Sequence, residues 1–140
     1  MSVFKDSDQF YACVGGLLQK IKQNPELYKL AADADMVARF RCVDPNAVIS
    51  IDTRKGVNEI RFGEEGPAPD IELSMPADLA HQFWMGELNV LAETLAGRIA
   101  YRGPLKKMIA LIPLLKPAMK LYPQHLRDIG FLQDESEKRT

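Results

Sequence analysis

ARFRC at residues 38–42 and ISIDTR at residues 49–54 decide the fold, because apolar and polar side chains alternate in both stretches. A period of two is typical of a strand that packs one face and leaves the other in water. The turn residues Asp44-Pro45-Asn46 separate the two stretches, and Lys55-Gly56 follows the second. We therefore predict a strand meander that continues over residues 60–62.

Two further stretches extend this sheet. Residues 71–75 alternate again after a loop at 63–69, and residues 99–101 form a short fifth strand between Gly97 and Gly103. Because the connections are short, we expect neighbouring strands to be antiparallel.

Helical spacing precedes the strands. Asp6-Ser7-Asp8-Gln9 is a capping box, and apolar residues then recur at helical spacing over 10–21. Gly15 and Gly16 weaken that helix, which indicates a close contact with another element. Asn24-Pro25 ends it and caps a second short helix.

Helical spacing also follows the fourth strand. Pro76 and Asn89 each begin a helix, and two more are expected at 105–112 and 115–122, separated by Pro113. The predicted fold is α+β: a single, mostly antiparallel five-stranded sheet covered on one face by helices.

The chain has 140 residues, 15.7 kDa, with 46% hydrophobic and 26% charged residues, which suits one globular domain. We expect a single domain at 1–132 and a polar C-terminal tail at 133–140. A net charge of -1 lacks the basic signature of a nucleic-acid binder.

Three features favour a soluble, cytoplasmic protein. Cys13 and Cys42 are too few for a disulfide framework and are expected to be free thiols. Charged residues at 5–8 interrupt any signal peptide. The most apolar stretch, 105–122, carries four lysines and two prolines and is not expected to span a membrane.

Catalytic and metal-binding motifs are missing from the sequence. It has no His-Glu-x-x-His pair, Gly-x-Ser-x-Gly elbow or phosphate-binding loop, so we predict no metal and no cofactor. His81 and His125 are interpreted as solvated side chains. An enzyme that uses His81, His125 or Cys42 on a hydrophobic substrate is the weakest of three hypotheses.

Charge is distributed unevenly. Residues 58–93 carry eight acids and one base, whereas residues 98–127 carry seven bases and no acid. Basic side chains on one helix face with aliphatic residues on the other are typical of a helix at a membrane surface. We predict contact with an anionic membrane through Lys106, Lys107, Lys116 and Lys120. The plainer alternative is that these helices cover the sheet and keep their lysines in water.

The order of motifs from Ile71 to Ile112 resembles the sterol carrier protein lipid-transfer domain. Glycines and aliphatic residues carry the resemblance, in order and nearly in spacing: Gly86, Leu88, Gly97, Ile99 and Gly103. The resemblance implies an apolar tunnel between the sheet and the helices. It implies non-enzymatic binding and transfer of a fatty acyl, phospholipid, isoprenoid or sterol-like ligand.

Residues from the helices and the last strand are candidates for the tunnel lining, although plain core packing explains each equally well. They are Phe83, Trp84, Leu91, Leu95, Ile99, Met108, Ile112, Leu115 and Met119. The alternative function is an accessory scaffold that presents a lipid-like biosynthetic intermediate to partner enzymes. The acidic stretch 58–93 would then be the docking face.

Overall fold

A five-stranded mixed sheet lies at the centre of the chain. The structure is a computed structural model that describes residues 2–64 and 66–132; the tail predicted at 133–140 lies outside them. The strand order is β3-β2-β1-β4-β5. The strands are β1 (Val37–Val43), β2 (Ala47–Asp52), β3 (Glu59–Phe62), β4 (Ile71–Pro76) and β5 (Ala100–Arg102).

Six α-helices accompany the sheet within the residues that the structure describes. A π-helical turn at Tyr11–Gly15 joins the first two, and a 3-10 turn at Arg54–Gly56 lies between β2 and β3. The helices are α1 (Ser7–Phe10), α2 (Gly16–Gln23), α3 (Pro25–Ala34), α4 (Ala77–Trp84), α5 (Val90–Leu95) and α6 (Leu105–Asp128).

The predicted caps at the helix starts are confirmed. Asp6 accepts a hydrogen bond from the Gln9 backbone N–H at 2.8 Å, and Gln9 Oε1 accepts one from the Lys5 N–H at 2.8 Å. Asn24 caps α3 with Pro25 in its first turn, and Asn89 caps α5. These side chains bind backbone donors that a helix start leaves without partners.

The period-two pattern separates the two faces of the sheet as predicted. Phe40 is paired with Ile49 on β2 and with Leu73 on β4, and these pair onward with Phe62 and Tyr101. This apolar row faces the helices. The sheet is mostly antiparallel, with β1 and β4 as its one parallel pair in the described part of the chain.

The position of β4 differs from the expectation that consecutive strands lie side by side. β4 lies beside β1 and parallel to it, not beside β3. The loop after β3 crosses the polar face of the sheet, where Arg39 donates to the Pro67 carbonyl at 3.1 Å and Arg41 pairs with Glu64. These contacts bind the crossing loop to β1.

Gly15 and Gly16 lie where other elements approach closely, as predicted. A Cβ on Gly15 would meet the ring of Phe62, and one on Gly16 would meet the imidazole of His125. The first helical segment therefore packs directly on β3 and on α6.

The prediction of two separate C-terminal helices, at 105–112 and 115–122, is wrong. α6 is one continuous helix of 24 residues that contains Pro113, Pro117 and Pro123. An internal proline costs about 3 kcal/mol because it lacks the amide donor. Burial of Ala118, Tyr122, His125 and Leu126 against the core holds the helix together in spite of this cost.

Candidate functional site

Two apolar cavities lie between the sheet and the helices. The larger has a volume of about 60 Å³, and α2, α3, the sheet, Trp84 and α6 contribute to its wall. Its lining is apolar except for three residues, Lys22, Thr53 and Asn58. The lining residues are Leu18, Ile21, Lys22, Ala31, Met36, Ala38, Phe40, Ile51, Thr53, Asn58, Ile60, Trp84, Leu111, Leu114 and Leu115.

The smaller cavity has a volume of about 40 Å³ and lies nearer to α4. Every residue of its wall is apolar, and Cys42 contributes a thiol to it. The lining residues are Phe10, Val14, Phe40, Cys42, Leu73, Met75, Ala80, Phe83, Trp84, Val90 and Ile99.

Phe40 and Trp84 line both cavities and form the wall between them. Their rings meet edge to face, with centroids 6.2 Å apart and an interplanar angle of 68°. Phe83 packs against Trp84 in the same manner at 4.9 Å.

The residues predicted to line a tunnel fall into three groups. Phe83, Trp84, Ile99 and Leu115 each line one or both cavities. Met108 and Met119 are half-buried and lie outside the two linings. Leu91, Leu95 and Ile112 are 70%, 80% and 56% exposed. Contact of any of these residues with a ligand remains a prediction.

Sequence reasoning did not include several lining residues in the candidate set. Phe40 and Ile51 belong to strands whose alternation already placed them on the packed face, and that signal was sufficient to find them. Leu111 lies within the helix predicted at 105–112 but outside its apolar spacing, whereas Leu114 required a helix that continues past Pro113. Asn58 precedes β3 and belongs to no apolar spacing, so no sequence signal identified it as a lining residue.

An apolar ridge runs along the outward side of the first half of α6. Leu105, Ile109 and Ile112 are 66%, 55% and 56% exposed, and their spacing of four and three residues places them on one helix face. Leu111 and Leu114 lie on the inward side and line the larger cavity. One helix therefore separates the cavity from an exposed apolar surface.

The four lysines predicted to contact a membrane belong to the same helix. Lys106, Lys116 and Lys120 are exposed and Lys107 is half-buried. Across residues 2–64 and 66–132, none of the four forms a salt bridge. Contact of these lysines with a membrane remains a prediction.

The prediction of two solvated histidines is wrong. His81 is half-buried, and its Nδ1 lies 2.9 Å from the Tyr122 hydroxyl. His125 is buried, and its Nε2 donates to the Ala12 carbonyl at 2.9 Å. Both rings pack between α6 and the N-terminal half of the chain, because each offers an apolar body and a polar atom that binds a neighbour. Neither belongs to the linings of the two apolar cavities.

His81 should make the fold less stable in weak acid. Burial lowers the pKa of His81 below its ordinary value of 6.5. The stabilisation from neutral His81 is complete above that value and is lost as the pH falls below it, because the unfolded chain then takes up a proton that the folded chain resists.

Urea unfolding at about pH 7.5 and about pH 5.5 measures this effect. The free energy of unfolding should fall more between these conditions for the natural chain than for His81→Asn, which keeps a polar group beside Tyr122 and does not titrate. An equal fall in both proteins would contradict the prediction.

Cys13 and Cys42 are free thiols, as predicted, and both are buried. Burial raises the pKa of Cys13 and of Cys42 to about 12. A thiol is nucleophilic as its thiolate, so neither side chain is activated at neutral pH.

Within residues 2–64 and 66–132, no three His, Cys, Asp or Glu side chains come together as metal ligands. No helix in those ranges combines the length and the hydropathy needed to cross a bilayer.

A mixed five-stranded sheet with helices on one face and apolar space between the layers is the arrangement of the sterol carrier protein fold. Sterol Carrier Protein 2 from Yarrowia lipolytica (apo form) is 20% identical, with a TM-score of 0.64 over 85% of this chain and 98% of that one. Sterol carrier protein domain 2 of Helicoverpa armigera is 17% identical, with a TM-score of 0.63 over 76% and 84%.

A third similar structure is that of the ubiquinone synthesis protein UbiJ-SCP2. It is 13% identical, with a TM-score of 0.54 over 74% of this chain and 90% of that one. The sequence matches no protein-family model and no curated protein. The chain has the sterol carrier protein 2 fold, and the resemblance seen in its sequence is confirmed at that level.

Proposed function

We propose that this chain binds a lipid-like ligand in the space between its sheet and its helices, and transfers that ligand without chemical change. The observation that carries the proposal is the pair of apolar cavities that share Phe40 and Trp84 as a wall. The shared fold of the sterol carrier structures supports it. Fatty acyl, phospholipid, isoprenoid and sterol-like ligands are all consistent with an apolar lining.

The cavity volumes indicate that the ligand must enlarge the site. An apolar cavity of about 150 Å³ holds one benzene molecule. The cavities of about 60 and 40 Å³ are smaller than that, so a ligand must move the Phe40 and Trp84 rings and join the two spaces. Met36 and Met75 line the larger and the smaller cavity respectively, and methionine adapts readily to a new shape.

Transfer between a membrane and this site needs little net free energy. Moving one CH₂ group out of water lowers the free energy by about 0.8 kcal/mol. An acyl chain that leaves a bilayer for an apolar cavity stays out of water in both places, so these contributions largely cancel. Opening of the protein at the membrane surface would keep the ligand out of water during the transfer as well.

α6 is the element we assign to that surface. Its outward ridge of Leu105, Ile109 and Ile112 can enter the headgroup region, and the four lysines can bind anionic lipid. The opposite side of the same helix lines the larger cavity. A shift of α6 on contact with a bilayer would open the cavity towards the lipid.

Reversal of charge on α6 should slow transfer from anionic vesicles. Each basic residue near such a surface contributes about 1 kcal/mol, so Lys116→Glu with Lys120→Glu should reduce the rate at least about tenfold. Lys5→Glu with Lys55→Glu makes the same change in net charge at exposed positions outside α6 and should have little effect.

A fluorescent fatty acid leaving vesicles at low ionic strength measures the rate, because screening of surface charges is weakest there. Equal rates for the two double variants would contradict the membrane-contact role of α6.

A second candidate function is a scaffold that presents a lipid-like intermediate to partner enzymes. Leu91 and Leu95 on α5 favour it, because both are exposed apolar side chains, the first within the acidic stretch 58–93 and the second two residues beyond its end. One structure of the same fold is that of a ubiquinone synthesis protein, UbiJ-SCP2. Co-purification from native lysate separates the candidates: a stable enzyme complex lost in Leu91→Asp favours the scaffold, and free protein with lipid favours the carrier.

Native mass spectrometry of the purified protein tests the leading proposal. The expected result is an added mass that organic extraction releases as an acyl or isoprenoid species, or uptake of added fatty acid or isoprenoid by protein purified without ligand. A protein that carries no added mass and takes up neither compound would contradict the carrier function.

A further inference from the structure

One polar atom in the larger cavity has no hydrogen-bond partner. Asn58 is 3% exposed and lines this cavity. Its Oδ1 finds no donor among residues 2–64 and 66–132. Buried polar side-chain atoms in folded proteins are nearly always paired, so an unpaired acceptor at a cavity wall indicates a group that the protein alone does not supply.

The orientation of the Asn58 amide is fixed by its other end. Its Nδ2 donates to the Tyr28 carbonyl at 3.2 Å. Exchange of the two amide atoms would place Oδ1 against that carbonyl, and two acceptors repel each other. Oδ1 therefore stays the unpaired acceptor of this cavity-lining residue.

The backbone around Asn58 holds this arrangement in place. Asn58 has a positive φ of 48°, a left-handed conformation that asparagine tolerates better than most residues. The Tyr28 hydroxyl donates to the Gly56 carbonyl, and Asp35 Oδ1 accepts a hydrogen bond from the Lys55 N–H at 3.1 Å. The 3-10 turn before Asn58 is thus bound to α3 and to the residue that follows α3.

The other polar residues of this cavity do not compete with Asn58 for a donor. Thr53 Oγ1 already donates to the Met36 carbonyl at 3.2 Å and accepts from the Met36 N–H at 3.0 Å. Lys22 is exposed and carries a charge that water can solvate. Asn58 Oδ1 is therefore the position in this lining that an incoming hydrogen-bond donor can satisfy.

We propose that the larger cavity selects an apolar ligand that carries a hydroxyl group, and that Asn58 Oδ1 accepts the hydrogen bond from that hydroxyl. The inference rests on the proposed function and adds a ligand class to it. An alcohol or a phenol can donate, whereas an ionised fatty acid, an ether or a plain hydrocarbon cannot. A bound hydroxyl also removes the unpaired acceptor, so the preference is largest for ligands that donate.

The test compares dodecanol with dodecyl methyl ether, two ligands that differ in their ability to donate. Trp84 is the single tryptophan of the chain and lies at the cavity wall, so its fluorescence reports binding of both. The natural chain should bind the alcohol at least about tenfold more tightly than the ether. Asn58→Gly, which accommodates the positive φ, should bring this ratio close to one while the ether still binds.

The outcomes separate this inference from the proposed function. Equal binding of the two ligands by the natural chain would overturn the hydroxyl preference and leave lipid binding intact. Binding of neither would contradict the proposed function itself. If Asn58→Gly does not fold, the ratio of alcohol affinity to ether affinity in the natural chain still tests the hydroxyl preference. A third ligand, dodecane, cannot donate a hydrogen bond either and should bind the natural chain no more tightly than the ether.

Discussion

Ala31→Leu should weaken binding of a fluorescent fatty acid at least about tenfold without lowering the stability of the fold. Ala31 is buried on α3 and lines the larger cavity, so the added carbons of leucine enter the space that the ligand needs. Each buried CH₂ contributes about 0.8 kcal/mol, which offsets strain from tighter packing. Ligand affinity and urea unfolding of the same samples measure the two effects.

Ala110→Leu is the matched control for this substitution. Ala110 is exposed on α6 and lies outside both cavity linings, so the same chemical change should leave affinity within about twofold of the natural value. If Ala31→Leu binds the fatty acid as well as Ala110→Leu does, the larger cavity is not the ligand site.

Gly103→Ala should destabilise the protein by at least about 2 kcal/mol more than Gly97→Ala. Both glycines have positive φ, +125° and +80°, so alanine is strained at each. Only Gly103 also lacks space: its Cβ would lie 2.5 Å from the Asp70 carbonyl oxygen and 3.0 Å from the Ile71 Cα. These are backbone atoms at the start of β4, and they cannot move away without disturbing the pairing of β4 with β5.

The free energy of unfolding in urea measures this difference. At Gly97 nothing lies within 4 Å of the added Cβ, so this variant reports the cost of the backbone conformation alone. Equal destabilisation by the two substitutions would show that the approach of Gly103 to β4 is not tight.

Most of the fold follows from patterns that act over a few residues. The alternation at 38–42 and 49–54 predicts which face of the sheet packs, and the pairing of Phe40 with Ile49 agrees with it. The caps at Asp6, Asn24 and Asn89 also depend on neighbouring residues alone. Local hydrogen bonding and side-chain period determine these features, so the sequence is sufficient to predict them.

Long-range contacts determine what the sequence could not predict. The place of β4 beside β1 depends on a loop that Arg39 and Arg41 hold across the sheet. The continuity of α6 depends on Tyr122 and Leu126, whose burial outweighs the local effect of Pro113. Both features depend on packing between segments far apart in the chain.

Only part of the candidate site could be predicted, because the burial of a helix face also depends on packing between distant segments. Trp84 and Leu115 face inward on helices whose apolar spacing is evident, and both line the larger cavity. Leu91 and Leu95 have the same spacing but lie on the surface, because α5 is a short helix that buries none of its residues. Spacing identifies an apolar face and does not say what covers it.

Quenching of Trp84 fluorescence by a brominated fatty acid tests the central claim most directly. Trp84 is the only tryptophan in the sequence and separates the two cavities, so a bromine atom on a bound acyl chain must come close to its ring. We predict saturable quenching by dibromostearic acid that unlabelled stearic acid reverses and that Ala31→Leu weakens. Saturable binding of the fatty acid without quenching of Trp84 would place the ligand elsewhere and contradict the account.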